Sequence, residues 1–253
     1  AVHQPNWSWS DDEEKVWIHV LILIGIAIQD RFHRQVESTV QRVMNDFYDG
    51  FVAHDVKPYR AMARIMNSQD HAGQKPRPNT NLDVVSCTVA MPTVANIHHV
   101  LEALQQEFGG CVGFVNDYDL AEERAAEIYH QRKLTINFIY RPSKDEEPYG
   151  RLTYNDLATD RRVQTQWTSY SSQSAHMDGE PNARRVGHIK RALKLLRSSQ
   201  YELAEVAMVC QIELMTESAS DTRELSRELL KIVGATDQHA LLLEFDPRPP
   251  LPP

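Results

Sequence analysis

Three groups of residues have types and spacing that chemistry can use. Lys57, Arg60 and Arg64 stand at steps of three and four, which on a helix puts them on one face. Such a row neutralises phosphate, because an ammonium is a point charge and a guanidinium forks around oxygens. The bland alternative is a solvated basic face. Asp83 stands just before the apolar run "VVSCTVAM". A carboxylate entering a buried strand holds Mg²⁺ when a neighbouring strand supplies a second one; otherwise it is a turn or edge residue. The third group lies in "EVAMVCQIELM", residues 205–215. In a strand, Gln211 and Glu213 share one face while Cys210 and Ile212 point to the other. Glu213 brings a charge, whereas Gln211 brings only a neutral carbonyl oxygen.

Positioning these groups requires a set of helices and strands. Ser10 and Glu13 form an S-x-x-E capping box, with Asp11 and Asp12 in the first turn. The apolar run Val16–Ile28 follows, about 13 residues where a membrane helix needs roughly 20. It reads as a buried helix of this chain or of a subunit contact. Helical spacing continues through Phe32, Val36, Val40, Val43 and Phe47 to a stop at Gly50. A second helix is expected over 57–68 and a loop over 70–81. Strands are expected at Val84–Met91, Val112–Val115, Leu134–Tyr140 and 205–215, with Tyr149–Tyr154 as an antiparallel extension. Helices are expected from Pro92 to Gly109, over Leu120–Tyr129, over Ala183–Ser198, and after the caps Asp221 and Glu224; "ALLLEFD" makes a last strand. Residues 155–183 read as a polar, Ser-rich insertion, flexible or ordered by a partner. The order predicts an α/β (α+β) fold: a mixed sheet of about five strands flanked by helices. The expected divisions are a helical extension over 1–50, an α/β domain over 52–246 and a proline-rich tail over 247–253.

Composition narrows the function. A formal net charge of −8 gives no support for broad nucleic-acid binding and none for DNA. The basic segment Arg184–Arg197 could meet an acidic partner, and it or Val16–Ile28 could serve an RNA or membrane surface; a solvated face explains the basic segment as well. Three cysteines, with no CxxC, read as buried thiols in a reducing compartment. Eleven histidines show no metal-ligand spacing, and His98 and His99 diverge on a helix. The chain starts Ala-Val-His without an initiator Met; a removed leader is one explanation, and a processed organellar protein, such as a mitochondrial one, fits it. There is no GxxxxGK[ST] loop, GxSxG elbow or GxGxxG turn.

Over about residues 52–216 the order of these features resembles the synthetase domain of RelA/SpoT-type alarmone synthetases, with its nucleotidyltransferase-like fold. The resemblance implies that "KPYRAMARI" contacts ATP phosphates through Lys57, Arg60 and Arg64. It implies that Asp83 of "LDVVSCTVAM" holds magnesium, although the Arg that follows in that family is replaced by the neighbourhood Ser86, Cys87 and Thr88. "VGFVNDYD" resembles the next strand. "YHQRKLTINF" keeps Arg132 and Asn137 for nucleotide binding, but puts His130 and Gln131 where the family has Gly and a stacking Tyr. The family strand E-V-Q is here Gln-Ile-Glu, so Gln211 takes the place of the second acidic residue, with Glu213 two positions on.

The substituted positions fall on the chemistry while the framework is kept. A catalytically degenerate, synthetase-like accessory subunit of a larger assembly is therefore expected, without a cofactor. Its contacts would come from Val16–Ile28, the 155–183 insertion and the proline-rich tail. The rival expectations are an active pyrophosphokinase or nucleotide-binding regulator using ATP and Mg²⁺ on Asp83 and Glu213, and a peripheral membrane or RNA-associated module.

Overall fold

The computed structural model describes residues 10–44, 48–67, 76–119, 132–144, 150–176, 182–198 and 203–221. In chain order these form α1 (Asp11–Met44), β1 (Phe51–Ala53), α2 (Tyr59–Met66), β2 (Ser86–Met91), α3 (Val94–Phe108), β3 (Gly113–Asn116), β4 (Lys133–Tyr140), α4 (Tyr154–Thr159), α5 (Arg161–His176), α6 (Asn182–Leu196) and β5 (Met208–Thr216). The expected helix 120–129, the helix after Asp221, the strand "ALLLEFD" and the proline-rich tail lie outside the described residues.

The capping box forms as the sequence asks. Ser10 Oγ accepts from Glu13 N at 3.3 Å, and Glu13 Oε2 accepts from Ser10 N at 3.2 Å. From there α1 runs 34 residues, about 51 Å at 1.5 Å per residue. It is long and apolar enough to cross a membrane by length and composition, yet 67% of its most apolar window is buried inside the chain. Most of Val16–Ile28 is buried against other parts of the same chain. That corrects the expectation of a partner contact there: α1 packs on α2, α3, α5 and α6.

The sheet has the order β1-β2-β5-β4-β3, with β2 and β5 parallel and the other neighbours antiparallel. Alternation gives it two unlike faces. Cys87, Val89 and Met91 of β2, Cys210, Ile212 and Leu214 of β5, and Leu134, Ile136, Phe138 and Tyr140 of β4 make one apolar face, all buried. Phe32 of α1 meets it edge-on at Tyr140, 5.2 Å between ring centroids, and Phe108 of α3 lies 5.2 Å from Phe138. Thr93 caps α3 by accepting from Asn96 N, and Gly109 closes it with a left-handed φ of +78°, a conformation glycine adopts without steric cost. Gly50 is fixed by close approach: a Cβ there would collide with the Ala90 carbonyl.

Three sequence readings need correction. Residues 155–176 are not a flexible insertion but α4 and α5. Val163, Trp167 and Tyr170, at i, i+4 and i+7, form a sparse apolar stripe among polar residues, enough to seat a helix. Trp167 is buried and donates its indole N–H to Leu23 O at 2.8 Å. The strand β1 was not expected; its three residues pair with β2 as an antiparallel edge. Finally, the basic face of Arg184–Arg197 is partly used within the chain. Arg191 binds Asp12 at 2.6 Å, Arg185 lies 4.8 Å over the Tyr59 ring, and Arg197 donates to Gln164. Of the expected Tyr149–Tyr154 extension, the described residues form two isolated antiparallel bridges, Ser143 to Arg151 and Thr153 to Glu205.

Candidate site on the polar face of the sheet

The basic row begins before its helix does. Pro58 is the N-cap of α2, so Lys57 sits in the preceding connection, and only Arg60 and Arg64 ride the exposed side of the helix. Tyr59 docks this turn. Its ring stacks on the buried His19 of α1 at 4.8 Å and 12°. Burial pushes the His19 imidazole down to about 3, so it stays neutral; its Nδ1 meets Tyr170 Oη at 2.8 Å.

Lys57 turns inward. Its Nζ donates to both oxygens of Asp83 at 2.6 Å, and its backbone N–H binds Val84 O at 3.0 Å. Asp83 lies in the turn before β2 rather than in the strand. The basic row and the first carboxylate are thus joined through one ammonium.

Register places the other acidic residue. On β2, Ser86 stands opposite Gln211 and Thr88 opposite Glu213; on β4, Asn137 stands opposite Gln211 and Thr135 opposite Glu213. Gln211 is therefore nearer in register to Asp83, which precedes Thr88 by five residues, up to about 17 Å of extended chain. Glu213 is buried and forms an ion pair with Lys133 Nζ. Thr88 Oγ1 donates to Glu213 Oε2 at 3.5 Å, the weak limit of such a bond. Since Thr88 donates there, it accepts from His54 Nε2 at 3.2 Å, which leaves His54 Nδ1 to accept from Ser86 Oγ at 3.1 Å. One polar chain crosses the sheet from Lys133 to Ser86 and ties the edge residue His54 to the interior.

Asn137 is also buried, and its Nδ2 occupies the space that a Cβ on Gly113 would enter, at 2.9 Å. Its Oδ1 has no hydrogen-bond partner among the described residues. Arg132 is half-buried just before β4, while His130 and Gln131 lie outside the described residues. Sequence reading missed Lys133 and His54. The first was findable: Lys133, Thr135 and Asn137 share a face by alternation in "KLTINFIY". His54 was not, because β1 itself was not.

Mg²⁺ is bound through carboxylates and substrate phosphates converging on one octahedron. Here each carboxylate turns to its own lysine, so the arrangement does not fit that ion. No group of three or more His, Cys, Asp or Glu is placed to hold a metal among the described residues. The apolar face offers no nucleophile either: burial, and secondarily the negative charge of Glu213, push the Cys87 thiol well up.

No family model matches the chain, and no curated protein does. Two solved structures are similar to it. One is the crystal structure of the small alarmone synthetase 1 from Bacillus subtilis, 9% identical over 88% of this chain and 83% of that one, with a TM-score of 0.48. The other is that synthetase bound to its product pppGpp, 13% identical over 79% of this chain and 92% of that one, with a TM-score of 0.35. Overlap this loose leaves the reading of the site to the residues of this chain.

Proposed function

We propose that this chain is a degenerate synthetase-like domain, of the RelA/SpoT type that its sequence resembles, and that it serves as a structural or accessory subunit of a larger assembly. The observation that carries the reading is the pairing of carboxylates. Asp83 belongs to Lys57 and Glu213 to Lys133, and Gln211 occupies the register position nearer Asp83. A carboxylate held by a fitted ammonium is already neutralised. A divalent ion would have to displace both lysines to recruit both carboxylates.

Part of the surface supports the accessory role. The edge strand β3 exposes Phe114 and Val115, preceded by exposed Val112. An apolar edge strand is a surface proteins cover. Contacts through the exposed side of α5 and through the tail 247–253 belong to the same proposal; Val16–Ile28 no longer does.

Two measurements on the purified chain test the reading. Calorimetry with ATP and Mg²⁺, beside an assay for pyrophosphate transfer from ATP to guanine nucleotides, is expected to give no heat and no product. Transfer that is lost on Glu213→Gln would restore the enzyme. For the accessory role, the tagged chain in its native extract should migrate as a species far larger than its own 29.0 kDa; migration as a free monomer would remove that half of the proposal.

A further inference from the structure

We propose that Ser86, on the polar face of the sheet beside β1, is a nucleophile that hydrolyses small carboxylic esters, with His54 as its base. Ser86 and Thr88 of β2, Glu213 of β5 and His54 just after β1 form one line of hydrogen bonds, and its direction is set from one end. Glu213 is paired with the Lys133 ammonium, and a carboxylate only accepts. Thr88 Oγ1 therefore donates to Glu213 at 3.5 Å and accepts from the His54 Nε2–H at 3.2 Å. That leaves the lone pair of His54 Nδ1 to accept from the Ser86 hydroxyl at 3.1 Å. A serine proton aimed at an imidazole, whose far nitrogen is oriented by a third group, is the arrangement that activates a hydroxyl.

The sheet holds these pieces in place. The His54 backbone N–H donates to Ser86 O at 3.2 Å, and His33 Nε2 donates to the same carbonyl at 2.9 Å. Ser86 and His54 are half-buried, within reach of a small substrate. Thr88 and Glu213 are 5% and 4% exposed, so water hardly competes along the rest of the line. Gln211 stands opposite Ser86 on the same face, one strand spacing of about 4.8 Å away. Its carboxamide is a neutral N–H donor beside the carbonyl that Ser86 would attack. Lys57 and Lys133 are already held by carboxylates. A neutral donor suits the single charge of an acyl oxyanion rather than the several of a phosphoryl group. Val52, opposite Thr88 and on the same face, is 49% exposed, an apolar seat for a short acyl chain.

In the reaction, Ser86 Oγ bonds to the ester carbonyl carbon as its proton passes to His54 Nδ1. The carbonyl π pair moves onto the oxygen, where Gln211 donates. Collapse of that adduct breaks the bond to the alcohol oxygen, which takes the proton from His54. Water then gives a proton to His54 and cleaves the acyl-serine; the carboxylic acid leaves and Ser86 takes the proton back. The long bond from Thr88 to Glu213 tightens as the imidazole gains charge, as catalytic hydrogen bonds do on the way to the transition state. None of these steps uses Asp83 or a nucleotide, so the proposal stands apart from the degenerate reading of the synthetase-like site.

The test treats the full chain with a fluorophosphonate, which phosphonylates activated serines, and locates the adduct by mass spectrometry; p-nitrophenyl butyrate measures turnover. An adduct at Ser86 and saturable hydrolysis are expected. Ser86→Ala should abolish both, and His54→Gln should slow both by about a hundredfold or more. Gln211→Leu should lower kcat by about a hundredfold. Thr88→Val separates orientation of the base from packing: kcat should fall roughly tenfold, the worth of one hydrogen bond, with KM unchanged, and Thr88→Ser should restore it. Ser38→Ala, at an exposed position of α1, should change neither readout. Circular dichroism checks that each variant folds. Should Ser86→Ala unfold, the unmodified chain still decides, because its hydrolysis must fall in proportion to the Ser86 adduct. No adduct at Ser86 on the folded chain, hydrolysis that persists when Ser86 is fully modified, or hydrolysis that survives Ser86→Ala would overturn the proposal.

Discussion

The two faces of the sheet are made by the same strands and obey different rules. On one face Cys210, Ile212 and Leu214 alternate into a closed apolar layer with Phe138 and Phe32. On the other, Gln211 and Glu213 alternate into a row of hydroxyls, carboxamides and one ion pair. The first face gains free energy from every atom removed from water. The second gains only if each polar group finds its partner, since an orphan costs about 1–3 kcal/mol. Packing tolerates few changes of volume; the polar face is sensitive to changes of pairing. The polar face is therefore where a changed residue leaves the clearest mark.

Substitutions on each face should show this. The largest loss is expected from Phe32→Ala, about 3–5 kcal/mol by denaturant titration, from lost burial plus the cavity left between α1, α3 and β4. Lys133→Met comes next, at about 3 kcal/mol, because it strands the buried charge of Glu213. The double variant Lys133→Met/Glu213→Leu should recover most of that loss. If the single variant is neutral, Glu213 is not held by Lys133, and the contrast between the faces collapses.

A smaller effect comes from pH. His19 is depressed in the folded chain to about 3, from about 6.5 unfolded. Between those values the unfolded chain binds the extra proton, so stability is complete above the unfolded value and falls as pH drops below it. The slope approaches about 1.4 kcal/mol per pH unit. Burial depresses His33 as well, with the same sign. His19→Gln should flatten the acid limb of a stability profile; an unchanged limb would place the titration elsewhere. The smallest change is expected for Lys57→Ala. Asp83 is 37% exposed, and an ion pair of that exposure contributes below about 1 kcal/mol.

The apolar face was legible in the sequence and the polar face only partly. "CQIELM" and "LTINFIY" declare their alternation, and Ser10, Thr93 and Gly109 mark helix ends by local chemistry that needs no tertiary context. The helix α5 stayed hidden because its stripe is three residues long in a run of Gln, Thr and Ser. Trp167 alone was a sign of burial. The register of Glu213 was out of reach, since it depends on how β2 and β5 meet across more than a hundred residues of chain. The partner of Asp83 was within reach and read otherwise: Lys57 looked like part of a phosphate row, and instead its ammonium lies on the carboxylate.

The burial of α1 also has a cost in time. Val16–Ile28 is made before the elements it packs on, and the β5 residues that complete the sheet are made about 180 residues later. At roughly 5–20 residues per second, some ten to thirty-five seconds pass with that run not fully covered. An apolar stretch waiting so long is what chaperones bind, and what aggregates when they do not. Yield during synthesis should therefore respond to slower translation and to chaperone supply more than the stability of the finished fold would suggest.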